Sequence, residues 1–206
     1  MLLSSLSKRI KWIFISVPLL LVVVYCGAAW YVMSKDIAVP ILAIVTKDSY
    51  PGIPPILARA YLFASDYDPN ARIRFGIPAL NFIVNGYGLG DSWQKGAILK
   101  LSQGFINKGA DINKRWDGFT PLQAAVLANE PIMVQLLLKN GADPILRLIS
   151  PGKPYDNMTA LELAEYFASQ KKRDMERVIE ILKTQHKMVD KPTTLRNAVG
   201  VGLVFR

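Results

Sequence analysis

The residues most able to do chemistry in this chain are its single cysteine, its single histidine and a glycine-rich stretch. Cys26 lies in an apolar segment and His186 in a distant lysine-rich stretch, so the two do not suggest a thiolate–imidazole pair. Gly86-x-Gly88-x-Gly90 lacks the Lys-Ser/Thr pair of a phosphate-binding loop and a preceding strand pattern. The usual clusters of metal ligands are also missing. We therefore predict no catalytic residue, no metal site and no cofactor, and expect a binding protein and not an enzyme.

Composition and charge further limit the class of protein and of partner. The chain has 206 residues, of which 51% are hydrophobic and 20% charged, and this excludes an intrinsically disordered protein. The net charge of +9 raises the question of a nucleic-acid partner. However, the densest group of basic residues, at 171–187, is interleaved with Asp174, Glu176 and Glu180, as on a solvated helix face. We expect no nucleic-acid partner.

The first structural element that the sequence predicts is an apolar segment near the amino terminus. Residues 12–33 contain no charged side chain and are bounded by Lys11 and Lys35. At about 1.5 Å per residue, a helix of this length spans roughly 33 Å, which suffices for the hydrocarbon core of a bilayer. Aromatic residues lie at both ends of the segment, where membrane interfaces favour them. The sequence therefore predicts a transmembrane helix over 12–33.

The charges that flank this segment predict its orientation. Lys8, Arg9 and Lys11 precede it, whereas Lys35 follows it directly and is offset by Asp36. The positive-inside rule places the more basic flank in the cytoplasm. We therefore expect a cytoplasmic segment over 1–11 and an inner-membrane protein whose remaining chain is periplasmic.

Two other interpretations of the amino terminus stay open. The small residues Gly27–Ala29 could form a signal-peptidase site, although the apolar run continues to Met33, which favours an uncleaved anchor. Cys26 could be a lipoprotein cysteine, but the preceding Tyr25 is too bulky for that motif. We predict that 34–53, whose apolar stretch is too short to span a bilayer, is a linker.

The remaining chain contains an internal repeat. The tripeptide Gly-Ala-Asp occurs at 109–111 and again at 141–143, each time after an apolar helix-like run. The pattern Asp-Gly-x-Thr-Pro-Leu-x-x-Ala at 117–125, followed by Val-x-Leu-Leu-Leu-x-x-Gly-Ala-Asp, resembles the ankyrin repeat. Gln123 stands where that family usually has His, and a related stretch occurs at 159–164. The resemblance implies stacked helix pairs and binding to other proteins.

Local physical chemistry supports helix pairs independently. Thr120 is a good N-cap, and Pro121 then occupies the first helical turn, where its missing N–H costs little. Glu130-Pro131 breaks the chain before a second helix, and Gly141 suits the left-handed position after that helix. Because one such pair cannot bury both of its faces, neighbouring pairs must stack to form a core.

We therefore predict an all-α fold: a short ankyrin-repeat solenoid of about three helix pairs plus a capping helix, behind the transmembrane helix. The predicted ankyrin-repeat domain covers 54–185, and a C-terminal tail covers 186–206 and begins beyond the last helix. The expected segments are a capping helix at 56–63, helix pairs at 76–84 with 93–107, at 121–130 with 131–140 and at 159–169 with 174–185, and an insertion at 85–91.

The predicted binding residues lie in two loops. The loop between the first two pairs ends in a large aromatic residue with two cations, which are types common at binding hot spots. Alternatively, its tryptophan packs against a neighbouring loop. A second loop, 146–155, is longer than the family norm and longer than connection requires. The predicted partner-binding residues are Asn113, Lys114, Arg115, Trp116, Arg147, Ile149 and Tyr155.

The resemblance also suggests a biological role. Small membrane-anchored or periplasmic ankyrin proteins of Gram-negative bacteria look like immunity partners of secreted antibacterial toxins. We therefore expect a single-pass membrane protein that binds a protein partner outside the cytoplasm, with neutralisation of a secreted effector as the leading hypothesis. The alternative is a scaffold or assembly factor for an envelope protein complex.

Overall fold

The computed structural model describes residues 8–46, 52–170 and 174–189, and its regular elements there are helices, as predicted. A single 3₁₀ turn precedes α4. The α-helices are α1 (Lys8–Lys35), α2 (Ala38–Val45), α3 (Pro55–Ala64), α4 (Ala79–Tyr87), α5 (Ser92–Asn107), α6 (Pro121–Leu127), α7 (Pro131–Lys139), α8 (Ala160–Ser169) and α9 (Glu176–Val189).

The chain divides into two compact units, residues 1–68 and 69–206. The first unit contains a helix that is long and apolar enough to cross a membrane, over Ser16–Lys35 of α1, with a mean hydropathy of 1.9. Its apolar side chains between Val17 and Val24 are exposed, as lipid-facing residues would be. A membrane anchor and a signal sequence both fit these properties.

The last turns of α1 pack against α2 and α3 within the first unit. Ala29 is 6% exposed and Met33 1% exposed, and the ring of Trp30 meets Tyr61 of α3 edge-on at 5.0 Å between centroids. The hydroxyl of Tyr25 donates a hydrogen bond to the carbonyl of Gly52. Thus the carboxyl end of α1 belongs to a small three-helix assembly, which includes the helix expected to cap the repeats.

The second unit consists of three stacked helix pairs, α4–α5, α6–α7 and α8–α9. The first helices of the pairs contact one another and form an inner layer, while the second helices form an outer layer. The apolar faces meet between the layers, as expected for stacked pairs. The largest fully buried side chains of this core include Leu80, Ile83, Ile98, Phe105, Leu122, Met133, Leu137 and Leu163.

Two of the predicted helix ends, the start of α6 and the end of α7, are confirmed in detail. The hydroxyl of Thr120 accepts a hydrogen bond from the backbone N–H of Gln123 (3.2 Å), and the Gln123 side chain accepts one from the Thr120 N–H (2.9 Å). This reciprocal capping box stabilises the start of α6. Gly141 follows α7 with φ +92°, in the left-handed region where a β-carbon is strained.

The second unit also differs from the prediction in places. Helix α4 begins at Ala79, later than expected, and continues to Tyr87, which is 2% exposed. The predicted insertion at 85–91 therefore shrinks to a short connection, because its first residues are held in a helix by burial of the Tyr87 ring. The backbone of His186 lies within α9 and not beyond the last helix. The rest of the predicted tail, 190–206, lies outside the described residues.

Candidate functional site

A tight hairpin presents two aromatic residues between the first and second helix pairs. The backbones of Trp116 and Phe119 exchange two hydrogen bonds of 3.0 Å. The two turn residues, Asp117 and Gly118, have φ of +49° and +80°, which is the pattern of a type I′ turn. Because directly paired residues of a hairpin point to the same face, this turn aims both aromatic side chains the same way.

Both rings line a cleft of about 390 Å³ on the inner layer of helices. Its walls come from α4, from the hairpin and from α6. The lining residues are Asn81, Asn85, Trp116, Asp117, Phe119, Ala124, Leu127 and Ala128. Trp116 is half-buried there, so it is neither a bare loop tip nor fully buried by a neighbouring loop.

Asn81 fastens the hairpin loop to the inner layer. Its side chain is 2% exposed, and its Nδ2 donates to the carbonyl of Lys114 at 3.1 Å. Its Oδ1 is buried and makes no hydrogen bond within the described part of the chain. Buried polar atoms are normally paired, so this acceptor at the wall of the cleft is unusual.

Asparagine side chains also tie successive loops together. Asn70 Oδ1 accepts from the N–H of Asp111 (2.7 Å), and one repeat later Asn113 Oδ1 accepts from the N–H of Asp143 (2.9 Å). These bonds satisfy backbone donors that no helix pairs, and they fix the spacing of the loops. The predicted binding residue Asn113 therefore also holds two neighbouring loops together.

The two cations of the predicted loop differ in their surroundings. Arg115 Nη2 donates to the carbonyl of Arg147 in the next loop (2.8 Å) and is partly committed to that contact. The side chain of Lys114 is exposed. Of the two, Lys114 is the more exposed.

The long loop after α7 is folded against the hairpin. Leu148 donates to the Met158 carbonyl (2.8 Å) and its own carbonyl accepts from Asn157 (3.1 Å), so the loop closes on itself. At its near end the N–H of Ile149 donates to the Gly118 carbonyl (3.2 Å). A β-carbon at Gly118 would lie 1.8 Å from the Ile149 oxygen, so only glycine permits this approach.

Tyr155 at the far end of this loop joins an aromatic cluster, which we define as Phe119, Tyr155, Tyr166 and Phe167. The Tyr155 ring lies 6.4 Å from Phe119, 6.4 Å from Tyr166 and 6.1 Å from Phe167, between centroids. The last two rings meet edge-on at 5.3 Å. All four side chains are half-buried. Through the shared Phe119, the cluster continues the surface of the cleft onto α8.

Arg147 and Ile149 lie at the base of the long loop. Arg147 Nη1 donates to the Asn157 carbonyl (2.6 Å) and lies 3.5 Å from Glu162 Oε2. The pKa of Glu162 is lowered, chiefly because the Thr159 backbone N–H donates to its carboxylate, with smaller contributions from the Thr159 hydroxyl and Arg147. Ile149 is 55% exposed and available for contact.

The structure thus brings Trp116 and Tyr155 to one continuous surface, whereas Asn113, Arg115 and Arg147 hold loops in place beside it. Sequence reasoning missed Asn81 and Asn85, and with them Phe119, Tyr166 and Phe167. A signal existed for Phe119, since an Asp-Gly turn places the residues on either side of it together. In the described segments, no group of three His, Cys, Asp or Glu is placed to hold a metal.

Comparison with known proteins identifies the repeat. Residues 117–147 match the family model of the ankyrin repeat. A stretch of 64 residues, 30% of this chain, is 42% identical to the 2-5A-dependent ribonuclease of Mus musculus. The match covers 9% of that protein, so only a local segment is alike. The chain therefore carries an ankyrin repeat, a protein-interaction module, within an all-helical array of stacked pairs.

Proposed function

We propose that this chain is a single-pass membrane protein whose ankyrin-repeat unit binds a protein partner outside the cytoplasm. The observation that carries the proposal is the joined surface of the cleft and the aromatic cluster. It presents Trp116 and Tyr155 half-buried on a framework of inner helices and hydrogen-bonded loops.

Such a surface has the properties of a binding hot spot. Tryptophan and tyrosine offer large contact areas with few rotatable bonds, so little conformational entropy is lost when they are covered. The hydrogen bonds of Asn81, Asn113 and Arg115 preorganise the loops, which lowers the cost of association further. Neighbouring aromatic side chains that remain partly exposed are typical of surfaces that another protein covers.

The proposed anchor is α1, with residues 1–11 in the cytoplasm. Its support is the length and hydropathy of Ser16–Lys35 and the charge bias toward the amino-terminal flank. Burial of Ala29 and the hydrogen bond from the Tyr25 hydroxyl to the Gly52 carbonyl favour retention over cleavage, because a cut after Ala29 would remove both contacts from the first unit. The ankyrin-repeat unit would then act in the periplasm.

For the partner we propose a secreted antibacterial effector, which the ankyrin-repeat unit neutralises by covering its working surface. The candidate anchor and the preorganised binding surface support this role. A scaffold or assembly factor for an envelope complex would use the same surface, so a cellular test must separate the two.

The binding proposal is tested by affinity capture from envelopes with the full chain in detergent. Trp116→Ala should reduce recovery of a stoichiometric partner at least about tenfold, the loss expected when a central aromatic anchor is truncated. Ile132→Ala is the matched control, because Ile132 is an exposed apolar residue on the outer helix α7. Equal capture by both variants, with unchanged circular dichroism, would remove the cleft from the binding site.

The cellular role is tested by deleting the gene and competing the cells against effector-secreting neighbours. We expect sensitivity that the full chain restores and the Trp116→Ala variant does not. A deletion strain that resists the neighbours but loses an assembled envelope complex would replace the effector role with the scaffold role.

A further inference from the structure

The chemistry of the cleft indicates which side chain of a partner it accepts. We propose that the cleft binds an arginine side chain of the protein partner, an inference that rests on the proposed function. The polar groups that line it are the amides of Asn81 and Asn85 and the carboxylate of Asp117, and no cation is among its lining residues. A ligand that supplies hydrogen-bond donors and positive charge therefore complements it.

The orientation of the Asn81 amide strengthens this conclusion. The carbonyl of Lys114 can only accept a hydrogen bond, so the Asn81 nitrogen must face it, and Oδ1 takes the other side. That oxygen is a buried acceptor without a partner in the part of the chain that the structure describes. Because Asn81 lines the cleft, a donor that displaces the atoms covering this oxygen would satisfy it.

Aromatic rings provide the second element of recognition. Trp116 and Phe119 line the same cleft, and the face of an aromatic ring attracts a cation electrostatically. Arginine fits such a site better than lysine because its guanidinium is planar, stacks on rings and offers several donors at fixed angles. Neither Lys114 nor Arg115 lines the cleft, and Arg115 Nη2 is bonded to the Arg147 carbonyl.

The size and the apolar part of the wall suit the same ligand. The cleft volume of about 390 Å³ is large enough for one long side chain of a partner and too small for a helix of that partner. Ala124 and Leu127 of α6 provide apolar contact for the methylene stem of arginine. The guanidinium would then reach Asn81 and Asp117, which lie on different walls.

The test uses small probes and the full chain in detergent micelles. N-acetyl-arginine amide is titrated while the Trp116 indole signal is followed by NMR, with Trp116→Phe used to assign that signal. The isosteric but uncharged N-acetyl-citrulline amide is the matched ligand, and N-acetyl-lysine amide tests the preference for a planar cation. We expect saturable binding in the order arginine, lysine, citrulline.

Asp117→Asn is the decisive variant. Asparagine adopts positive φ as readily as aspartate, so the type I′ turn should persist while the charge is lost. The affinity for the arginine probe should fall about fivefold in this variant, because one partly exposed ion pair is lost. In the parent chain the affinity should also fall with added salt, which screens that ion pair. Glu176→Gln on α9 removes one charge outside the cleft and should leave the affinity unchanged.

The outcomes separate this inference from the proposed function. Equal binding of the arginine and citrulline probes, or equal affinity in Asp117→Asn, overturns the arginine inference, even where Trp116→Ala still abolishes capture of the partner. Selective arginine binding without any partner that depends on Trp116 would support the cleft chemistry and overturn the proposed function.

Discussion

Gly118 shows how one residue permits the contact between two loops. Its positive φ and its approach to the Ile149 carbonyl leave no space for a β-carbon. We expect Gly118→Ala to lower the free energy of unfolding by about 3 kcal/mol, through backbone strain and displacement of the long loop.

Gly141→Ala is the control for that prediction, since Gly141 also has positive φ but a β-carbon there would meet no atom within 4 Å. Gly141→Ala should lower the free energy of unfolding by only about 1 kcal/mol, because only the strain of the left-handed conformation is added. Urea unfolding monitored by circular dichroism measures both variants. Equal losses would mean that the close approach to Ile149 does not matter.

Glu162 links stability to pH at the start of α8. Its pKa in the folded state lies below the reference value of 4.5, so its charge stabilises the fold above about pH 4.5. That contribution is lost as the pH falls through the folded-state pKa. Glu162→Gln should therefore be less stable than the parent chain at pH 7, and the difference should be smaller at pH 3.

The expected difference at pH 7 is below about 1 kcal/mol, because the Glu162 side chain is 48% exposed and solvent screens its contacts with Arg147. Unfolding midpoints at the two pH values provide the measurement. A difference that persists unchanged at pH 3 would show that the carboxylate charge is not its cause.

At the scale of elements, the long loop after α7 is a folded part of the surface and not a passive connection. Its order depends on Tyr155, whose ring bridges Phe119 of the hairpin and both aromatic residues of α8. We expect Tyr155→Ala to raise hydrogen-exchange rates at the Leu148 and Asn157 amides, whose bonds close the loop.

Tyr155→Phe keeps the ring and should preserve slow exchange at both amides, so it serves as the matched variant. Tyr155→Ala should also weaken capture of the partner, since the aromatic cluster loses its central ring. Slow exchange that survives in Tyr155→Ala would show that backbone hydrogen bonds alone order the loop.

The elements themselves were largely predictable, because their signals are local. Thr120, Pro121 and Thr159 act through their own backbone neighbours, and so the starts of α6 and α8 could be predicted within a residue. The end of α4 could not be predicted in this way. Gly86 alone indicates that the helix ends, whereas burial of Tyr87 keeps the helix intact to that residue.

At the scale of the whole molecule, we predict that the anchor is retained and that the repeats lie outside the cytoplasm. Chain purified from membranes should have the intact mass of the uncleaved sequence, because Ala29 is packed inside the first unit and Tyr25 is hydrogen-bonded to Gly52 there. Loss of the residues before Trp30 would establish a cleaved signal peptide instead.

Orientation is tested with reporters fused after Arg206. Alkaline phosphatase, which requires the periplasm, should be active there, and a reporter that requires the cytoplasm should be inactive. The opposite result would reverse the proposed orientation and remove the periplasmic role, while the binding surface of the repeats would stand.

The sequence by itself determined the helical class, the apolar segment near the amino terminus and the ankyrin repeat. Each depends on composition, period or capping within a short stretch of chain. Only the tertiary structure decided the proposed binding surface. Asn81, Trp116, Phe119 and Tyr155 lie in different repeats or on opposite sides of a turn, and stacking of the helix pairs brings them together. The Asp-Gly turn pairs Trp116 with Phe119 locally. The proximity of that pair to Asn81 and Tyr155, and the unpaired oxygen of Asn81, arise from contacts between residues far apart in sequence.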